Sequence, residues 1–233
     1  MDPRTLIIIP AYNEGQSIAP VIDNIRRDFP QGDILVVNDG SIDDTSEAAR
    51  QKDAFVLDLP YNSGIGAAVQ TGFLFAFRNG YDVAIQVDGD GQHPAGEIHK
   101  LTETLDQGWD VAIGSRFVHK TGYQSTFFRR LGNKIFSGLI YLVCGQRIHD
   151  TTSGFRAVNR QVISLFAQTY PGDYPEVEAL VFLDKYGFKI KEIPVEMKAR
   201  QGGRSSISFF DSAYYMIKVT LAVLITAIKR KDF

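Results

Sequence analysis

Two carboxylates stand two residues apart in the run Val87-Asp88-Gly89-Asp90-Gly91-Gln92-His93-Pro94. They follow Val83–Val87, a short apolar stretch that reads as a buried strand. Side chains leaving such a strand can turn toward one ion, and Gly89 and Gly91 permit the tight backbone that this demands. Hard oxygen ligands suit Mg²⁺ or Mn²⁺, with diphosphate oxygens completing the shell. Asp88 and Asp90 are the expected metal ligands, and Gln92 can add a carbonyl. The ion would neutralise charge building on a departing nucleoside diphosphate. His93, followed by Pro94, reads as structural or as a support behind the ligands. Surface turns also contain Asp-x-Asp, so the motif takes its meaning from its setting.

Two more polar clusters fall at the ends of apolar runs: Tyr12-Asn13-Glu14, and Asp39-Gly40-Ser41 with Asp43 and Asp44. In an open α/β sheet, ligands bind outside the carboxyl ends of the strands. Asp39 can accept hydrogen bonds from a base or ribose, or it can close an Asx-turn before the next helix. Asp43 and Asp44 read as the turn. Gly64 and Gly66 can admit a phosphate at a helix N-terminus, or simply let the helix begin. No Gly-x-Gly-x-x-Gly follows the first strand, which excludes a dinucleotide fingerprint.

Arg116, in Gly114-Ser115-Arg116, ends a further strand, where a guanidinium can clamp a phosphate bidentately. Arg129, Arg130 and Lys134 cluster at a helix start, either as a solvated face or to meet an anionic lipid head group. Arg200 and Arg204 bracket a Gly-Ser loop able to close over a diphosphate. If the acceptor is a hydroxyl, a general base is needed. Glu176 and Glu178 are the candidates, while the turn holding Asp150 reads as structural.

The elements that must position these groups alternate. Leu6–Ile9, Ile34–Val37, Ala54–Asp58, Val83–Val87 and Val111–Gly114 read as strands, and Lys189–Pro194 as another. Between them lie helical patterns over Ser17–Asp28, Thr45–Gln51, Ala67–Asn79 and Ile98–Gln107. Phe127–Cys144, Gln161–Ala167 and Glu178–Tyr186 follow, and Asp150–Arg156 reads as a polar turn. This predicts an α/β fold, a mostly parallel sheet with helices on both faces. Residues 1–207 are expected to form one domain, followed by an amphipathic helix within 208–233.

The chain has 233 residues, 44% of them hydrophobic, and a net charge of −2. That is enough for one core, and too little positive charge for bulk nucleic-acid binding. The single cysteine, Cys144, excludes an internal disulfide and reads as a buried structural thiol. The first apolar run is too short for a secretory signal, so a cytoplasmic protein is expected. Ala213–Ile228 is mostly apolar but falls short of the roughly 20 unbroken residues of a span. With Lys229-Arg230-Lys231 behind it, it reads equally as an interfacial helix or as a core or oligomer helix.

Taken together, the motifs resemble family 2 glycosyltransferases of the GT-A fold. The nearest branch is that of dolichyl-phosphate mannose synthases and polyprenyl-phosphate glycosyltransferases. The resemblance rests on Ile9-Pro10-Ala11-Tyr12-Asn13-Glu14, Val37-Asn38-Asp39-Gly40-Ser41, Asn62-x-Gly64-x-Gly66, Asp88 to Pro94, Gly114-Ser115-Arg116 and Asp150-Thr151-Thr152-Ser153-Gly154-Phe155-Arg156. It implies that Pro10, Tyr12, Glu14, Val37 and Asp39, with Gly89 near them, contact the donor. It implies that Asp88, Asp90 and Gln92 hold the metal, that Arg116 lies near the phosphates, and that Arg200 meets the diphosphate. In the synthases a lysine follows six positions after that arginine; here Ser206 stands there, with Arg204 close by. Arg129 and Asn133 have the spacing of the synthases' lipid-phosphate site, with Arg130 as the competing choice.

The expected activity is inverting transfer of a sugar from a nucleotide-sugar donor to a polyprenyl-phosphate acceptor, at the inner face of a membrane. Two alternatives stay open. One is transfer to a glycan hydroxyl in cell-surface polysaccharide synthesis, and the other a noncatalytic nucleotide-sugar-binding subunit. A homo-oligomer, a membrane surface or a small membrane-protein partner are each compatible with the last helix.

Overall fold

A computed structural model describes residues 3–118, 127–172, 175–197 and 209–229. Five of the apolar runs are strands: β1 (Thr5–Ala11), β2 (Asp33–Asn38), β3 (Phe55–Asp58), β4 (Val83–Gln86) and β5 (Val111–Ser115). β1 is buried along its whole length. It shows no polar alternation because both of its faces meet helices. Leu6 and Ile8 enter the core on one side of the sheet, Ile7 and Ile9 the core on the other. Each such side chain, withdrawn from water, contributes about 1.5–3 kcal/mol.

The Ile7 side is covered by α1 (Ile18–Asp28), α2 (Thr45–Arg50) and α4 (Ile98–Asp106). Ile18, Val21, Ile22 and Ile25 are the buried face of α1, as their spacing predicts. The Ile8 side is covered by α3 (Ile65–Arg78), α5 (Phe127–Cys144), α6 (Arg160–Gln168), α7 (Pro175–Lys185) and α8 (Phe209–Ile228). α7 begins earlier than its apolar pattern suggests, with Pro175 in the first-turn position that proline favours. α8 starts at Phe209, within the 208–233 segment expected to be helical and ahead of the apolar stretch that begins at Ala213.

One strand departs from the sequence reading. β6 (Arg156–Asn159) begins where a polar turn was expected to end. It offers only Ala157 and Val158 as an apolar signal, and its first residue is a buried arginine. β6 runs antiparallel between β4 and β5, and β7 (Ile190–Pro194) pairs parallel with β5. The resulting order, β3-β2-β1-β4-β6-β5-β7, forms a seven-stranded sheet among the described residues.

β1 lies between β2 and β4 and is parallel to both. The chain therefore leaves β1 and β4 in opposite directions across the sheet. The crevice outside their carboxyl ends is the switch point at which open α/β sheets bind ligands. α8 packs on α5 and α7. Among the described residues no helix is long and apolar enough to cross a membrane.

Candidate active site

β4 delivers Asp88 to this crevice. Asp88 is half-exposed, while Asp90 is buried and accepts the Gln92 backbone N–H at 3.0 Å. Gly91, at φ +76°, makes that reversal possible. His93 Nδ1 accepts the backbone N–H of Asp88 at 2.9 Å, which assigns the ring proton to Nε2, 3.5 Å from Asp88 Oδ2. The His93 ring stacks on Phe155 with centroids 4.9 Å apart. His93 thus fixes the main chain of Asp88 and places a ring N–H beside its carboxylate.

The facing wall is the segment from His149 to Arg156. Arg116 Nε and Nη2 donate to the two oxygens of the fully buried Asp150, each at 2.7 Å, and its backbone N–H adds a third bond at 3.0 Å. Arg116 Nη2 also reaches Thr152 Oγ1 at 3.1 Å. Glu192 of β7 accepts the backbone N–H groups of His149 (2.6 Å) and Asp150 (2.7 Å). Behind the wall, Arg156 donates to the carbonyls of Ser153, Thr151 and Glu176. Burial lowers its pKa, opposed by Tyr170, Glu176, Asp150 and Glu192.

Between the two walls lies a cleft lined by Asp88, Gln92, His93, Arg116, Thr152, Ser153, Gly154 and Met197. Gly154 is there for space: a methyl group on it would stand 3.0 Å from Asp88 Oδ1 and 2.9 Å from Gln86 Nε2. Gln86 is itself buried, and its Nε2 makes no hydrogen bond within the described residues. Among the described residues no three His, Cys, Asp or Glu side chains form a metal cage. One or two carboxylates with an amide are the donor set on which Mg²⁺ or Mn²⁺ relies when substrate phosphates supply the rest. Asp88 and Gln92, which line the cleft, supply oxygens that suit such an ion better than a closed tetrahedral zinc site; Asp90, buried beside them in the chain, is a second carboxylate of the same chemistry.

The ledge beside the cleft comes from β1 and β2. Pro10 lies in register with Val37, and a methyl group on Gly89 would meet Pro10 and Glu14 at 3.5 Å. Tyr12 is exposed at the strand's end. Asp39 is buried, its Oδ1 accepting the Ser63 N–H at 2.7 Å and its Oδ2 the Gly64 N–H at 2.8 Å. Asp39 therefore braces the loop that opens α3. Gly66 is needed for close approach, but to protein: a methyl group there would lie 2.1 Å from the Gly172 carbonyl oxygen.

Residues 6–166 match the sequence profile of Glycosyl transferase family 2. The chain belongs to glycosyltransferase family 2. It is 34% identical to a polyprenol monophosphomannose synthase of Mycolicibacterium smegmatis, over 93% of this chain and 85% of that protein. It is 31% identical to an undecaprenyl-phosphate mannosyltransferase of Micrococcus luteus, over 88% of each. The fold is GT-A, shared with a glucosyl-3-phosphoglycerate synthase of Mycobacterium tuberculosis crystallised with Mn²⁺, UDP and phosphoglyceric acid. That structure matches at a TM-score of 0.76 and 18% identity, over 99% of this chain and 81% of that one.

In this glycosyltransferase the two candidate bases part company. Residues two apart on a helix point to opposite sides. Glu176, half-buried, faces the polar cluster of Arg156, Tyr170 and Asp88; burial raises its pKa, Arg156 opposes the shift and Asp88 reinforces it. Glu178 turns the other way, accepting Thr226 Oγ1 of α8 at 2.6 Å. Helical periodicity alone separates the two side chains. Asn133 is buried, and its amide is taken up by the 149–151 turn: Nδ2 donates to the His149 carbonyl, and Oδ1 accepts from Thr151 N and Oγ1, both at 3.1 Å. Arg130 is exposed on α5. Arg200, Arg204 and the side chain of Arg129 lie outside the described residues. Gln86 and Met197 carried no signal in the sequence; Thr152 and Ser153 lay inside the Asp150 to Arg156 motif but had no role assigned to them. Cys144 is half-buried, and burial, with Asp184 adding to it, pushes its thiol up to about 12.

Proposed function

We propose that this glycosyltransferase moves a sugar, with inversion, from a nucleoside-diphosphate sugar to a polyprenyl phosphate, peripherally at the inner face of a membrane. The observation that carries the reading is the cleft between Asp88 and the Arg116–Asp150 pair, opening at the β1/β4 switch point. Relatives named for polyprenol and undecaprenyl phosphate support the choice of acceptor.

In the reaction, a phosphate oxygen of the acceptor attacks the anomeric carbon from the face opposite the diphosphate. The anomeric carbon–oxygen bond breaks, and its electron pair leaves on the nucleoside diphosphate. Asp88, Asp90 and Gln92 would hold Mg²⁺ or Mn²⁺, which when bound would supply charge neutralisation on the leaving group. His93 keeps Asp88 aimed into the cleft. Arg116, already immobilised by Asp150, presents positive charge without reorganisation. Pro10, Tyr12, Glu14, Val37, Asp39 and Gly89 form the nucleoside ledge, and Arg200 and Arg204 are assigned to the diphosphate. Arg129 and Arg130 are assigned to the acceptor phosphate, with Asn133 holding the adjoining turn. An anionic phosphate needs no general base. A hydroxyl acceptor would need one, and the raised pKa of Glu176 favours that residue in the second reading.

The test is sugar transfer from UDP-, GDP- and dTDP-sugars to a short, water-soluble polyprenyl phosphate, with and without Mn²⁺. Transfer to the phosphate that requires the ion is expected. Transfer only to sugar hydroxyls, or equal rates after chelation, would overturn the acceptor or the metal assignment respectively.

A further inference from the structure

α5 and α8 pack against each other, with Phe136 edge-on to Tyr215 at 5.9 Å between centroids. Their inner faces are filled: Phe136, Ile140, Val219 and Val223 are buried. Their outer faces are apolar as well. On α5, Leu131, Ile135, Tyr141 and Leu142 are exposed; on α8, Ile217, Leu221, Leu224, Ile225 and Ile228 are, with Leu142 and Ile228 each 82% exposed. At about 100° per residue each set falls on one side of its helix, within about 120° of the circumference on α5 and about 100° on α8. Two apolar stripes on neighbouring helices exceed what scattered surface residues explain.

The surroundings of the stripes are basic. α5 contains no acidic residue, and Arg130 and Lys134 lie exposed beside its stripe. α8 has one acid, Asp211 in its first turn, and is followed by Lys229-Arg230-Lys231. The chain as a whole carries more acids than bases, 27 against 25, so this face concentrates positive charge.

We propose that the α5–α8 face docks on a lipid bilayer surface carrying anionic head groups. Apolar stripes flanked by cations suit the interface between head groups and acyl chains. Pairing this face with a second copy would bring Arg130, Lys134 and Lys229 of two chains together; an anionic bilayer neutralises them instead. α5 also joins the face to the cleft. Asn133 and Ser137 hold the turn from Ile148 to Thr151, and Asp150 of that turn carries Arg116. The inference rests on the polyprenyl-phosphate reading, since such an acceptor keeps its chain in lipid while its phosphate reaches the cleft.

The test is flotation of the full chain with vesicles of phosphatidylcholine alone and with about 30% phosphatidylglycerol. Binding to the anionic vesicles is expected, and Leu142→Glu and Ile228→Glu should each weaken it about tenfold. Both variants should transfer sugar to the water-soluble acceptor at the parental rate. Failure of docking is thereby separated from failure of the acceptor assignment. Unaltered flotation of both variants, no flotation of the parent, or a dimer in sedimentation equilibrium that Leu142→Glu dissociates would each overturn the proposal.

Discussion

The loops after β2 and β4 begin alike, each with an Asp-Gly pair behind a buried apolar strand, yet their carboxylates differ in what they face. Asp39 is enclosed, and both of its oxygens are occupied by the backbone N–H groups of Ser63 and Gly64. Asp88 stays half-exposed at a polar cleft, steadied from one side by His93. The loops around Asp39 are laced to one another: Asn13 N–H to Ser41 Oγ, Ile42 N–H to Asn13 Oδ1, Glu14 N–H to Thr45 Oγ1 and Gly15 N–H to Asp43 Oδ2. Burial raises the Asp43 pKa, but hydrogen bonds from Thr45 and Gly15 outweigh it and the net shift is downward. A carboxylate already paid in backbone hydrogen bonds builds a scaffold; one left facing a cleft has valences to offer a ligand.

Asp150 breaks this division most severely, because it is a scaffold carboxylate that holds a site residue. Asp150→Ala leaves Arg116, 11% exposed at its side chain, without its bidentate partner. Removing one member of a buried pair costs about 3–5 kcal/mol. Urea unfolding should show that loss, and sugar transfer should fall with it. A stability change below about 1 kcal/mol would mean that water takes over the pairing.

The comparison itself is sharpened by matched amide substitutions. Asp88→Asn should lower turnover about 10²–10³-fold, the scale of one electrostatic contact made in the transition state, and weaken Mn²⁺ binding measured by calorimetry. Its melting temperature should barely move. Asp39→Asn should instead turn an NH₂ toward backbone donors, costing about 1–3 kcal/mol of stability and weakening donor binding, while Mn²⁺ affinity stays unchanged. Two variants with indistinguishable profiles would erase the distinction.

β1, β2, β4 and β5 were legible because strands buried on both faces are uninterrupted apolar runs bounded by turn residues, whereas β3, at the sheet edge with Phe55 and Asp58 exposed, showed only its short apolar run. β6 was not, since four residues with a buried arginine at the start resemble the end of a loop. Arg116 could be found as a polar residue at a strand exit. Its partner Asp150 could not be paired with it, because an ion pair between distant loops leaves no local periodicity. Asn133 had the spacing of a phosphate contact, yet spacing does not reveal that the His149 carbonyl and the Thr151 N–H would occupy its amide. Gln86 looked like an ordinary strand residue, and only its amide beside Gly154 shows it behind the cleft wall.

Glu176 offers a test of smaller amplitude that also separates the two acceptors. Its folded-state pKa is raised by burial above the ordinary 4.5. The unfolded chain therefore gives up this proton first, so the stability it contributes is complete below the unfolded pKa and is lost as pH rises through the folded one. Glu176→Gln should flatten that decline in urea midpoints measured from pH 4 upward. With a polyprenyl phosphate its turnover should change less than about threefold, whereas a true general base would cost about 10²–10⁴-fold and remove an ascending pH–rate limb.

The smallest effect belongs to the face turned away from the cleft. Thr226 of α8 donates to Glu178 Oε1 and accepts Lys185 Nζ on its carbonyl at 3.0 Å, fastening α8 to α7. Thr226→Val keeps the shape and the carbonyl contact and removes only the hydroxyl. A hydrogen bond to a partly exposed carboxylate is worth about 1 kcal/mol, so the melting temperature should drop by about 2–4 °C. Turnover on the water-soluble acceptor should stay unchanged, because Glu178 faces α8 rather than the cleft. A fall in turnover without a fall in stability would return Glu178 to the chemistry and remove the division between the two sides of α7.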